Sequence, residues 1–93
     1  MDFPVATKRY EDGICEAMDD ALIFVHNLET NYKVTDISTD NDNDSGEIFF
    51  TIRGKEYILN VKQCDENTFS FYIGEYSDIM DDLETYALQH FVE

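Results

Sequence analysis

Carboxylates are the side chains of this chain whose number and spacing could do chemistry. The 93 residues include 21 Asp and Glu but only six Lys and Arg, which gives a formal net charge of −15 at pH 7. Eight acids follow Lys62, whereas no Lys or Arg does. A single-sign charge of this size opposes folding through self-repulsion, so we expect it to serve a function. The expected partner is a strongly basic surface, and such surfaces commonly bind nucleic acid.

Acids recur at helical spacing near both ends of the chain. Side chains at offsets of four and seven share one face of a helix, about 5–6 Å from their neighbours, which is comparable with successive phosphates along a strand. Rows on two helices packed side by side would lie about 10 Å apart and could occupy a groove shaped for nucleic acid. The first predicted row is Asp12, Glu16, Asp19 and Asp20, and the second is Asp78, Asp81 and Asp82.

One acidic segment resembles a metal-binding loop. Asp40, Asp42 and Asp44 occupy the first, third and fifth positions of a calcium-binding pattern. The sixth position, which should be Gly, is Ser45, and the twelfth, which should be Glu, is Thr51. We therefore predict a flexible, solvated acidic hairpin loop, with a calcium site as the less favoured alternative. No metal or other cofactor is predicted.

The residues that could support catalysis form no recognisable set. Cys15 and Cys64 are far apart and no CxxC motif occurs, so both are predicted to be reduced and mostly buried. His26 and His90 fall late in predicted helices, where a histidine often caps carbonyl groups or borders the core. No GxSxG motif or phosphate-cradling Gly-rich loop is present. We predict that the chain is not an enzyme, and its charge disfavours direct binding to nucleic acid.

Hydrophobic periodicity predicts a helix near each end of the chain. The first covers residues 8–30 with Thr7 as its N-cap, and the second runs from an N-cap at Ser77 to about residue 91. Gly13 would weaken the first helix by about 1 kcal/mol relative to Ala. The buried stripe of the first helix is predicted to be Ile14, Cys15, Met18, Leu22, Val25 and Leu28, and that of the second Ile79, Leu83, Tyr86, Ala87, His90 and Phe91.

Alternating apolar residues predict four strands between the helices, at residues 32–38, 47–53, 56–63 and 68–74. Short turns join them, so the fold class is α+β: an antiparallel four-stranded meander flanked by an N-terminal and a C-terminal helix in a two-layer sandwich, one domain over residues 1–93. The predicted inward residues are Ile48, Phe50, Ile52, Tyr57, Leu59, Val61, Phe69, Phe71 and Ile73. Phe49, Ile58 and Tyr72 would form an apolar patch on the other face, which would suit a homodimer contact or part of a binding surface.

Disorder or adaptation to high salt would also produce an acidic chain, but both are less favoured here. Acid-rich chains are often disordered, yet 43% hydrophobic and 14% aromatic residues make a core feasible. The bulky apolar residues and four Lys argue against adaptation to high salt. Neither a signal peptide nor an apolar run long enough to span a membrane is visible. The expected location is cytoplasmic, in the host cytoplasm if the protein is phage-encoded, with no membrane partner.

In size, charge and order of elements, the chain resembles the small acidic DNA-mimic inhibitors that phages use against host restriction and CRISPR nucleases, such as the anti-restriction nuclease protein of T-even phages. The resemblance implies a non-catalytic inhibitor that occupies the nucleic-acid-binding site of a host defence nuclease. The carboxylates predicted to contact that partner are Asp12, Glu16, Asp19, Asp20, Asp40, Asp42, Asp44, Glu75, Asp78, Asp81 and Asp82.

The chain is also similar to the frataxin family, which has an acidic first helix, an antiparallel sheet and a closing helix. That resemblance implies an iron-binding role for the first acidic row, but the sheet tryptophan of that family is missing here. A third alternative is an immunity protein that neutralises a basic nuclease toxin. The identity of the target stays open, as does the mimicked ligand, which could be duplex DNA, single-stranded DNA or RNA.

Overall fold

Two helices and a five-stranded antiparallel sheet form the two layers of the protein, which confirms the α+β class. The structure, a computed structural model, describes residues 4–74 and 79–91. The strands are β1 (Ala6–Arg9), β2 (Val34–Asn41), β3 (Ser45–Ile52), β4 (Lys55–Asp65) and β5 (Thr68–Gly74), in the spatial order β1-β5-β4-β3-β2. The helices are α1 (Ile14–Asn27), which continues as a 3₁₀ turn (Leu28–Thr30), and α2 (Met80–His90).

The prediction of four strands is wrong at the N-terminus, where residues assigned to the first helix form β1. This strand pairs antiparallel with β5 and satisfies backbone groups that β5 would otherwise leave open at the sheet edge. Gly13 separates β1 from α1 with a φ of 77°, in the left-handed region that favours glycine. Thr7 is therefore not an N-cap, and its Oγ1 lies 3.1 Å from Oγ of Ser70.

The predicted alternation of the sheet is confirmed. Eight of the nine inward residues are buried, and Ile73 is partly buried. The strand boundaries differ most around the predicted acidic loop, because Asp40 pairs with Glu47 inside the sheet. What remains is a tight turn at residues 42–44, in which Asp42 N–H donates to the Ser45 carbonyl at 2.8 Å. Phe49 and Ile58 are cross-strand partners on the outer face, where both are partly buried.

Both helices pack on the inner face of the sheet, but the buried stripe of α1 is rotated from the prediction. Met18, Val25 and Leu28 are buried as predicted. Ala17, Ala21 and Phe24 are buried as well, whereas Cys15 is exposed. The stripe of α2 agrees with the prediction at its centre, and the Phe91 ring stacks on Phe71 with centroids 4.0 Å apart. The predicted cap Ser77 lies outside the described residues. Neither helix, as described, is long and apolar enough to cross a membrane.

Gly46 of β3 lets α1 approach the sheet closely. A Cβ atom at this position would overlap Sδ of Met18 and lie 2.9 Å from Cβ of Asn41. The first half of α1 therefore rests on β3 next to the β2–β3 turn. This contact brings the acids that begin α1 to the same end of the molecule as the turn at residues 42–44.

Candidate partner-binding surface

Three turns meet at one end of the molecule and bring six exposed carboxylates together. Gln63 N–H donates to the Asp44 carbonyl at 2.9 Å, which places the end of β4 beside the β2–β3 turn. Tyr10 N–H donates to the Asn67 carbonyl at 2.6 Å, which places the β1–α1 connection beside the β4–β5 turn. We call the six exposed carboxylates of these turns the acidic end: Glu11, Asp12, Asp42, Asp44, Asp65 and Glu66.

The acidic end extends across the sheet, from strand to strand, at one end of the strands. From β1 to β2 there are four strand spacings of about 4.8 Å, so the turns extend over about 19 Å. Arg9 lies among these turns and its Nε donates to Glu11 Oε1 at 3.0 Å. The side chains of Asp42, Asp44 and Glu66 make no hydrogen bond or ion pair within the described part of the chain. They are therefore available to a partner.

The predicted acidic row on the first helix is broken. Asp12 precedes α1, and its N–H donates to Glu16 Oε1 at 3.0 Å, so these two acids define the start of the helix. Glu16 and Asp19 are exposed, as predicted for a row. Asp20 instead faces the other elements and is partly buried. The row is thus reduced to two exposed helical carboxylates next to the acidic end.

Asp20 holds three elements together. Its carboxylate accepts a hydrogen bond from the Tyr10 hydroxyl at 2.5 Å, contacts His90 Nε2 at 2.9 Å and lies 3.7 Å from Lys8 Nζ. These partners belong to β1, to the connection after it and to α2. His90 thus borders the core as predicted, beside the ring of Phe24. Asp20 acts in the fold rather than at a partner surface.

The two predicted rows do not lie side by side, because the helices run antiparallel. His90, near the end of α2, contacts Asp20. Asp82, near the start of α2, accepts a hydrogen bond from the hydroxyl of Tyr32, which follows α1. His90 lies eight positions after Asp82 in α2, about 12 Å along the helix, and Glu16 lies about 6 Å further in the same direction. Asp81 and Asp82 are exposed but remote from the acidic end. Glu75 and Asp78 lie outside the described residues.

The outer face of the sheet carries a shallow acidic cavity near the β2–β3 turn. The cavity has a volume of about 210 Å³, and Asp40, Asp42, Glu47 and Lys62 are among its lining residues. Within residues 4–74 and 79–91, however, no three His, Cys, Asp or Glu side chains converge closely enough to hold a metal ion. Residues 40–51 do not form the continuous loop of a calcium site, because Asp40 belongs to β2 and residues 45–51 belong to β3.

Both cysteines are free, in agreement with the prediction of reduced thiols, but both are exposed rather than buried. Cys15 falls one position off the rotated stripe of α1, and Cys64 lies at a register shift between β4 and β5. The Cys64 Sγ accepts a hydrogen bond from Ser70 Oγ at 3.4 Å. His26 is also exposed and lies 2.9 Å from Glu29 Oε1. These side chains form no catalytic arrangement with one another in the described part of the chain.

Three carboxylates of the acidic end were missed by reasoning from sequence: Glu11, Asp65 and Glu66. A usable signal was present for two of them. In an antiparallel meander, alternate turns lie at the same end of the sheet, so a predicted β4–β5 turn must join the β2–β3 turn. Glu11 had no such signal, since its position depends on β1. Comparison with known proteins adds no assignment: no family model, no curated protein and no solved structure matches the chain.

Proposed function

We propose that this protein is a non-catalytic inhibitor that occupies the nucleic-acid-binding site of a basic protein, with a host restriction or CRISPR nuclease as the target class. One observation carries the proposal: six exposed carboxylates from three separate turns gather along one edge of a rigid sheet. Solubility alone would not require six carboxylates on neighbouring turns.

The charge spacing supports mimicry of a nucleic-acid strand. Six carboxylates, one of them paired with Arg9, leave a net charge of about −5 over about 19 Å, or about one charge per 4 Å, which is close to the 3.4 Å per charge of one DNA strand and a little under half the density of a duplex. Glu16 and Asp19 extend the negative surface onto α1. A basic groove would exchange its nucleic acid for this edge, and electrostatic steering would make the association fast at low salt.

Strand pairing gives the acidic end an advantage over a disordered acidic tail. The turns are closed by backbone hydrogen bonds of 2.6–2.9 Å between neighbouring connections. The carboxylates are therefore held near their binding positions before the partner arrives, and less conformational entropy is lost on binding. The turn side chains keep rotamer freedom, which lets one edge adapt to phosphate sites of slightly different spacing.

A pair of charge-reversal variants tests this proposal. Protein carrying Asp42→Lys, Asp44→Lys and Glu66→Lys is compared with protein carrying Glu56→Lys, Asp81→Lys and Glu84→Lys, which has the same net charge but an intact acidic end. Both are used to capture partners from nuclease-treated host lysate, and the affinity for the captured protein is then measured. We expect at least about 100-fold weaker binding for the first variant, equivalent to about 2.7 kcal/mol, and much less for the second.

Competition with nucleic acid completes the test. Single-stranded and duplex DNA should each displace the wild-type protein from its partner, and circular dichroism should show that both variants are folded. Equal binding by the two variants would contradict the proposal. So would a partner that binds the protein and DNA at the same time.

A further inference from the structure

The end of the molecule opposite the acidic end carries a cleft lined by cations. It has a volume of about 450 Å³ and is lined by Asn31, Tyr32, Lys33, Thr35, Arg53 and Gly54. Because Val34 pairs with Ile52, the segment that leads into β2 lies beside the turn that follows β3. Strand pairing therefore holds the two walls of this basic cleft together.

The two cations of the basic cleft form no ion pair with any carboxylate that the structure describes. Within the described residues, neither Lys33 nor Arg53 has a carboxylate oxygen within 4.0 Å, whereas Lys8 and Arg9 each have one. This is unexpected for a chain with 21 acids and six cations. An unpaired Lys and an unpaired Arg in one cleft leave two positive charges for a ligand.

Arg53 has a backbone conformation that is uncommon for an arginine. Arg53 has a φ of 56° and Gly54 a φ of 77°, as in a type I′ hairpin turn, whose first position favours Asn, Asp or Gly. A left-handed conformation costs an ordinary residue about 1–2 kcal/mol. The guanidinium carbon of Arg53 lies 5.7 Å from the centroid of the Tyr32 ring, and this contact orients the guanidinium group beside the cleft.

We propose that the basic cleft is a binding site for a phosphomonoester, such as a nucleoside 5′-monophosphate. The charge of a phosphomonoester near pH 7 is about −1.5 to −2, which matches Lys33 and Arg53 better than the single charge of a carboxylate does. The planar guanidinium fork binds two phosphate oxygens, and the ammonium group binds as a point charge. The cleft exceeds what a bare phosphate needs and falls within the usual range of about 300–1,000 Å³ for small-molecule sites.

One carboxylate lies near the cleft, since Asp82 accepts a hydrogen bond from the Tyr32 hydroxyl at 3.3 Å, but the acidic end does not oppose phosphate binding. The basic cleft lies about 24 Å from the acidic end, the length of the eight-residue strand β3 that joins them. At physiological ionic strength the Debye length is about 8 Å, so the acidic end is screened from a ligand in the cleft. The cleft also does not depend on the function proposed for the acidic end.

Nuclear magnetic resonance of the ¹⁵N-labelled full chain tests the site. The protein is titrated at 0.15 M salt with a nucleoside 5′-monophosphate, with the same nucleoside lacking phosphate, and with succinate as a dicarboxylate of similar charge. We expect saturable shifts of the Lys33, Arg53 and Gly54 amides with the monophosphate alone. The absence of saturable shifts, or equal shifts with the nucleoside or with succinate, would overturn the proposal.

A 5′-phosphorylated tetranucleotide identifies the source of the phosphomonoester. Tighter binding than that of the free nucleotide would assign the site to strand ends, and weaker binding would assign it to free nucleotides. Either result requires that the shifts map to the same three amides and that a 5′-hydroxyl tetranucleotide causes none. Shifts that appear with the 5′-hydroxyl tetranucleotide would overturn recognition of the phosphate.

Matched cation variants separate the site from a general charge effect. Arg53→Gln should lower the affinity for the monophosphate about tenfold, and Lys33→Gln should lower it about fivefold. Lys62→Gln is the control, because Lys62 also lacks a carboxylate partner among the described residues and also lies 5.7 Å from a tyrosine ring, that of Tyr72. It should change the affinity less than about twofold. Equal losses in all three folded variants would contradict the proposal.

Discussion

The two ends of this sheet are built alike but carry opposite features. The acidic end consists of the β2–β3 and β4–β5 turns with the β1–α1 connection, and the basic cleft consists of the β3–β4 turn with the segment before β2. In an antiparallel meander consecutive turns alternate between the two ends. Because successive turns of this chain alternate between acidic and basic, the charges of the turns are separated along the molecule. Six exposed carboxylates lie at one end. At the other end, near Asp82, lie two cations that have no carboxylate partner among residues 4–74 and 79–91.

The close approach of α1 to the acidic end gives the largest expected effect on stability. Gly46→Ala should lower the free energy of unfolding by about 1–3 kcal/mol, because its Cβ atom would overlap Met18 and crowd Asn41. Gly74→Ala is the control nearer the other end, where the closest atom, the Ile58 carbonyl oxygen, would be 3.9 Å away. Urea denaturation measures both. Similar losses for the two variants would contradict the close packing at Gly46.

The second prediction separates two adjacent carboxylates of α1. Asp20→Ala should lower the free energy of unfolding by about 1–3 kcal/mol, because Tyr10, Lys8 and His90 lose a shared partner. Asp19→Ala should change it by less than about 0.5 kcal/mol, since that side chain is exposed. Thermal denaturation of the two single variants measures the difference. A larger loss of stability from Asp19→Ala than from Asp20→Ala would contradict the role of Asp20 in holding the three elements together.

Repulsion within the acidic end gives an effect of opposite sign. Replacing Asp42 and Asp44 by Asn and Glu66 by Gln should raise the stability at 10 mM salt by about 1 kcal/mol, or about 4–8 °C in Tm. The gain should shrink at 500 mM salt, where the Debye length falls to a few ångströms. Neutralising Asp81 and Asp82 should not stabilise the protein, since both complement the N-terminal dipole of α2. Equal gains would mean that the charge is spread evenly.

The smallest predicted effect concerns Tyr32 beside the basic cleft. Partial burial first, and then the nearby Asp82 carboxylate, raise the pKa of Tyr32 above 10.0, while Arg53 opposes the rise. Asp82→Asn should therefore lower the pKa of Tyr32, Arg53→Gln should raise it, and Glu84→Gln should leave it unchanged. A ¹³C tyrosine titration monitored by nuclear magnetic resonance measures all three. Shifts with the opposite signs would contradict the contacts around this ring.

The raised pKa also determines the sign of a pH effect. The folded protein holds the Tyr32 proton more tightly than the unfolded chain, so the associated stability is fully present below pH 10. It should be lost as the pH rises through the higher pKa of the folded state. The Asp82→Asn variant should show a smaller loss over the same alkaline range.

Reasoning from sequence succeeded where a repeating pattern meets a single environment. Phe50, Leu59 and Phe71 belong to sets of apolar residues at every second position of their strands, and each is buried in the core, because the pleat of a strand places every second side chain on one side. Leu83 and Ala87 are buried on α2 as their helical spacing predicts. The same reasoning failed at residues 6–9, where the chain joins the free edge of β5.

The sequence alone determines the acid-rich composition, the alternating strands and the position of the turns. The strands and turns can be predicted because they depend on neighbours within a few positions. Contacts between distant segments decide the rest. The backbone hydrogen bond from Tyr10 to Asn67 brings Glu11 and Asp12 to the β4–β5 turn, and three partners turn Asp20 away from the surface. Local spacing carries no information about these contacts, because hydrogen bonding and packing are satisfied only when the whole sheet has formed.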